Sequence, residues 1–149
     1  MKFDRNVLRT VRWFKKYNNR TTTKSISINC SVEKAFDFVA NAANWPQFAI
    51  HNVFSIQLAE NGYWLMETPR GEGKLKIHPQ KQYGLLDHEF VDKREGKWVV
   101  PARVVPTPEG CHLMMTFSKP ADLPTQLFEE GMKLLEDEFL TLKKILEQE

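Results

Sequence analysis

Three polar side chains in otherwise apolar runs are the residues through which this chain could do chemistry. Over Gly84–Asp92, strict alternation puts Leu86, His88 and Phe90 on one face of a strand and Asp87 and Glu89 on the other. The first face is the more apolar, so His88 should point inward. An imidazole there could move protons near neutral pH, or sit hydrogen-bonded in a core. Arg103 stands among Val99, Pro101 and Val105. On an inner face it would need a carboxylate; on the outer face it would meet water. Glu138 falls between Leu134 and Leu142 on an apolar helix face. A carboxylate there is a border residue reaching water, half of a buried ion pair, or a ligand contact. The expectation is that His88, Arg103 and Glu138 form the polar end of a pocket, with His88 as the candidate catalytic residue.

Other chemistries are not signalled. His51, His78, His88 and His112 show no HExxH spacing and no pairing with cysteine, so no metal site is expected. No P-loop, GxGxxG or GxSxG elbow occurs, and no cofactor is expected. The two cysteines, Cys30 and Cys111, form no disulfide framework, which fits a reducing compartment and a cytoplasmic protein.

These residues need elements to hold them. From Asp122 to Glu149, Leu127, Phe128, Leu134, Leu135, Phe139, Leu142, Ile145 and Leu146 recur at helical spacing. Asp122 is the expected N-cap, with Pro124 in the first turn. The apolar arc spans roughly 160°, which calls for a broad partner such as a curved sheet. Gly131 interrupts that arc. It leaves space either for a bulky neighbour such as a tryptophan or for a ligand.

The sheet is legible further upstream. Thr21–Asn29 alternates with Ile26 and Ile28 on one side. Ser31 should cap a helix carrying Val32, Ala35, Phe36, Val39 and Ala40, and Trp45-Pro46-Gln47-Phe48 a second short helical turn. Strands are expected over Val53–Ala59, Tyr63–Thr68, Gly73–His78, Gln82–Val91, Lys97–Val105 and Cys111–Ser118, with Arg70-Gly-Glu-Gly73 as a flexible corner. The fold class is therefore α+β: a curved antiparallel sheet of about six to seven strands around a long C-terminal helix, with two short helices after the first strand. A gap left between helix and sheet would be a pocket. Trp64 and Met66, or their alternates Tyr63 and Leu65, should line it with Met114, Met132 and Leu135; Trp45, Phe48 and His51 should flank its entrance.

The chain has 149 residues, is 42% hydrophobic and carries a formal net charge of +2, too little to suggest a nucleic-acid partner. The charge is unevenly spread. Residues 1–20 hold seven Lys/Arg and one Asp, or +6; the remainder holds fourteen and eighteen, or −4. Phe3, Val7, Leu8, Val11 and Phe14 would make one face of a short helix, and Arg5, Arg9, Arg12, Lys15 and Lys16 the other. Such an extension could pack on its own domain or a neighbouring subunit, meet a protein partner, or lie on an anionic membrane. Residues 21–149 form the one expected domain, as monomer or dimer.

The segment Ser31-Val-Glu-Lys-Ala-Phe-Asp-Phe-Val-Ala-Asn, followed by Asn44-Trp45-Pro46, resembles the first-helix region of the START and birch-pollen-allergen superfamily, whose fold is the helix-grip. Tyr83-Gly-Leu-Leu-Asp87-His88, Pro101-Ala-Arg103-Val-Val-Pro106 and Leu140-Thr-Leu-Lys-Lys-Ile-Leu-Glu147 are similar to a polyketide cyclase/dehydrase-type branch. The resemblance covers about residues 21–149. It implies a cavity for a small apolar or aromatic molecule, lipid-like or polyketide-like. The expected function is non-catalytic ligand binding. The alternatives are a cofactor-free cyclase or dehydratase using His88, with Arg103 or Glu138 positioning the substrate, and a co-chaperone-like interaction module using residues 1–20.

Overall fold

In a computed structural model that describes residues 20–92 and 96–148, the chain forms two antiparallel sheets held against a long helix. Strand β1 (Thr21–Ile28) leads into helix α1 (Val32–Ala40). The side chain of Ser31 accepts from the Lys34 amide and caps α1 as expected. A 3₁₀ turn, Ala42–Asn44, follows, then the short helix α2 (Trp45–Phe48). The remaining strands are β2 (Ser55–Leu58), β3 (Trp64–Thr68), β4 (Gly71–Ile77), β5 (His88–Asp92), β6 (Gly96–Val100), β7 (Ala102–Thr107) and β8 (Gly110–Ser118). Helix α3 (Thr125–Leu146) closes the structure. The amphipathic segment expected over residues 1–20 lies, apart from Arg20, outside the described residues.

One sheet has the order β1-β8-β7 and the other β2-β3-β4-β5-β6. The expected Lys97–Val105 strand is split between them at Pro101, which cannot donate to a ladder. The seam is closed by residues 84–87. Leu86 donates to the Ala102 carbonyl and Val104 to that of Gly84, both at 2.9 Å. The Asp87 carboxylate takes the Ala102 amide at 2.9 Å. Gly84 is required here: its φ is +67°, and a Cβ would stand 2.2 Å from the Val104 carbonyl oxygen.

Three boundaries differ from expectation. The strand expected over Gln82–Val91 begins only at His88, because Lys81–Tyr83 forms a 3₁₀ turn ended by Gly84 in the left-handed region. Gly71, Glu72 and Gly73 belong to β4 rather than to a loose corner, because Thr68↔Gly71 closes a tight hairpin over Pro69-Arg70. Helix α3 starts at Thr125, and Pro124 rather than Asp122 holds the cap position, with no side-chain hydrogen bond. Pro124 is extended (φ −56°, ψ 139°), and a residue before proline is itself pushed out of helical space, so the helix cannot begin earlier.

The core gathers Ile28, Phe36 and Val39 with Leu113, Val104 and Leu142. Cys30 and Cys111, far apart in sequence, bring their thiol sulfurs to 4.0 Å.

Candidate functional site: a cavity under one half of the long helix

Register decides which side chains reach the interior. In the five-stranded sheet, Trp64, Leu75, Phe90 and Trp98 form one inward row, and Ile77, His88 and Val100 the next. A third row runs Met66, Gly73, Asp92, Gly96. Met66, Gly73 and Asp92 of this row line the cavity, with the Met66 side chain lying over Gly73. Helix α3 lies along β1. Its C-terminal half is buried, with Leu142 at 0% exposure beside Phe139 and Leu146. Its N-terminal half behaves otherwise: Leu127 and Leu134 keep 52% and 44% exposure although they belong to the same apolar stripe. Between that half and the sheet is a cavity of about 530 Å³. The size falls within the usual range for small-molecule sites.

Ten of the fourteen residues expected at a site line this cavity: Trp45, Phe48, His51, Met66, His88, Phe90, Gly131, Met132, Leu135 and Glu138. A Cβ built on Gly131 meets nothing within 4 Å, so no tryptophan or other bulky group is packed on it and the space beside it is open.

Four expected residues are elsewhere. Leu86 is wholly buried core. Trp64 packs on the core without lining the cavity. Arg103 is exposed and pairs in register with Met114. In β7 and β8 the inward residues are Ala102, Val104, Leu113 and Met115, so Arg103 and Met114 face outward and Met115 takes the place expected for Met114. The triad of His88, Arg103 and Glu138 is thus not assembled.

Glu138, 1% exposed, is no border residue. Its carboxyl group accepts from the His51 amide at 3.1 Å and from the Asn52 side chain, while neighbouring Asp137 accepts from His51 Nε2 at 2.7 Å. These contacts clamp the loop after α2 onto α3. Burial raises the Glu138 pKa, and the two donors work against that rise.

His88, also 1% exposed, donates from Nδ1 to the Leu86 carbonyl at 3.0 Å. The ring stands edge-on to Trp45, with centroids 5.0 Å apart, and to Phe90 at 5.4 Å. Burial pushes its pKa down to about 4, against the weaker opposing effects of Leu86 and Asp87. At neutral pH it is therefore an uncharged ring with an acceptor at Nε2, a poor proton donor.

Several lining residues carried too weak a signal to be singled out in sequence. Trp98 stacks on Phe90 at 5.5 Å and became readable only once β6 was paired to β5. Phe117, Pro120 and Leu123 belong to the end of β8 and the turn into α3. A different cluster occupies the outer sheet face. There Glu89 is held by Tyr63, His78 and Lys97 and its pKa falls to about 2, chiefly through the Tyr63 hydroxyl. Among the described residues, no group of three or more His, Cys, Asp or Glu is placed to hold a metal, and no helix is long and apolar enough to cross a membrane.

No family model and no curated protein matches the sequence. Solved structures do resemble the fold. A START superfamily protein from Mycobacterium smegmatis superposes with a TM-score of 0.65 at 14% identity, covering 86% of this chain and 97% of that one. The fold shared with that structure is the helix-grip. Ara h 8.0201 matches it at TM-score 0.65 and 12% identity over 85% and 97% of the two chains. An uncharacterised protein from Bacillus thuringiensis matches at 0.69 and 12% over 87% and 100%. The polyketide cyclase/dehydrase-type branch is a finer assignment than helix-grip likeness at such identities carries.

Proposed function

We propose that this helix-grip protein binds a small hydrophobic or aromatic molecule, lipid-like or polyketide-like in character, in the cavity beneath the N-terminal half of α3. The observation that carries the reading is the contrast within one helix. An apolar stripe that is close-packed at one end stands off from an aromatic-rich sheet at the other and leaves about 530 Å³ open. Apolar surface held open to solvent is unfavourable by about 25 cal/mol per Å², so a guest that covers it gains affinity. Glu138 is already held by the His51 amide and the Asn52 side chain, and Nδ1 of His88 by the Leu86 carbonyl, which favours a guest held mainly by shape and apolar contact. The low basicity of His88 favours binding over proton-transfer catalysis.

Titration with an apolar fluorescent dye, followed through the dye and the lining tryptophans Trp45 and Trp98, tests this reading. Saturable binding is expected. Gly131→Leu, which places a side chain into open space, should weaken it by roughly tenfold or more, or about 1.4 kcal/mol. Unchanged affinity in that variant would place the dye somewhere else and remove the proposal's support.

A further inference from the structure

One ring nitrogen of His88 meets the cavity with nothing from the protein upon it. Nδ1 lies 3.0 Å from the Leu86 carbonyl, which can only accept. Nδ1 therefore carries the proton of the neutral ring, and Nε2 a bare lone pair. No described residue donates to Nε2. Yet among the described residues no side-chain nitrogen or oxygen is both sealed in the interior and without a partner. Nε2 thus touches open space. The residue as a whole is buried and lines the cavity, so that space is the cavity itself.

The ring is not free to turn away. The Nδ1 bond fixes one corner, and Trp45 and Phe90 meet it edge-on from two sides. Trp45 is anchored in turn, its indole Nε1 donating to the Val39 carbonyl at 2.8 Å, and Phe90 is stacked with Trp98. The acceptor is pre-oriented within an aromatic wall.

A group that satisfies this nitrogen must donate a hydrogen bond, and its charge matters. A carboxylate has no proton to give at neutral pH and would share the wall with the Glu138 carboxyl group. An ammonium group would leave strong hydration for a mostly apolar space, where both Glu138 oxygens are already engaged by the His51 amide and the Asn52 side chain. A hydroxyl gives up least on entry and still supplies the proton. Burial, which holds the His88 pKa at about 4, keeps the acceptor available throughout the neutral range.

We propose that the guest is an uncharged aromatic molecule bearing a hydroxyl group, a phenol in the simplest case, which donates to Nε2 of His88 while its ring lies against Phe90 and Trp98. His88 is then the residue that separates a hydroxylated guest from its capped analogue. This assignment rests on the cavity being the binding site.

The test compares 2-naphthol with 2-methoxynaphthalene, which has the same rings and no proton to donate, on the full chain. Between wild type and His88→Phe, the ratio of the two affinities should move against 2-naphthol by about fivefold, the worth of one net hydrogen bond. His88→Gln, whose amide oxygen can accept, should recover part of that ratio. A ratio that does not move between wild type and His88→Phe overturns the proposal. So does tighter wild-type binding of 2-naphthylmethylamine or 2-naphthoate than of 2-naphthol. A second measurement needs no substitution. In nitrogen NMR of the isotopically labelled wild type, the Nε2 resonance of His88 should move upfield with 2-naphthol, well beyond any change caused by 2-methoxynaphthalene. An Nε2 that is protonated from the outset, or that ignores 2-naphthol, again overturns it. If these probes bind without discrimination, the cavity reading stands and only the hydroxyl assignment falls. If none of them binds saturably, the cavity reading fails and takes the assignment with it.

Discussion

The two halves of α3 share one hydrophobic stripe and meet different fates. Phe139, Leu142 and Leu146 are buried among Ile28, Val39 and Leu113, whereas Leu127 and Leu134 look into a cavity and out to solvent. Helical periodicity says which face of a helix turns toward a sheet. It does not say how far away the sheet is. That distance is set by what each half meets: the C-terminal half packs into the buried cluster, while the N-terminal half faces Met66, Phe90 and Trp98 across the cavity.

The contrast can be broken most directly by truncating each half. Leu142→Ala should cost about 2–5 kcal/mol in denaturant-induced unfolding, since it leaves a void in close packing. If Leu142→Ala proves nearly neutral, the tight half is not tight.

The sheet wall sharpens the comparison through pH. His88 has its pKa lowered to about 4 from 6.5, so the unfolded chain takes up a proton in that interval while the folded one does not. Stability contributed by the uncharged ring is complete above pH 6.5 and is lost as pH falls toward 4, by up to about 3 kcal/mol. His88→Gln should flatten that slope in urea unfolding followed across the range. Glu89, on the opposite face of the same strand, has its pKa lowered from 4.5 to about 2. Its contribution is intact above pH 4.5 and disappears as pH falls toward 2, and Glu89→Gln should remove only this lower portion of the profile.

Gly131 probes the loose half by addition. Gly131→Ala should stabilise the protein by up to about 1 kcal/mol, because a helix-interior glycine is replaced and the new Cβ meets nothing within 4 Å. A loss of stability would mean that the space beside the helix is already filled. The smallest effects are expected at the rim. Leu134→Ala should change stability by no more than about 0.5 kcal/mol, while weakening binding of an apolar dye.

Much of the cavity wall was readable in advance because helices and strands write their faces into residue spacing. His88 and Phe90 were placed inward by alternation, and Gly131, Leu135 and Glu138 by helical repeat, and all five line the cavity. Arg103 and Met114 were misplaced for one reason. A strand has two faces, and where both carry apolar residues, as in Val99–Val105, only the pairing of β7 with β8 tells them apart. Glu138 was recognised as anomalous, but its partners, the His51 amide and the Asn52 side chain, lie 87 and 86 residues away. No local pattern could name them.

The sequence by itself determined the order of elements, the stripe on α3 and the cap at Ser31, because these follow from backbone sterics and from the 2.0 and 3.6 periods of side-chain direction. Only the tertiary structure decided that the helix stands clear of the sheet at one end, that Arg103 faces water, and that Cys30 and Cys111 are neighbours. Those outcomes depend on register and on the volumes of side chains that meet across long stretches of chain, and neither quantity is written in local spacing.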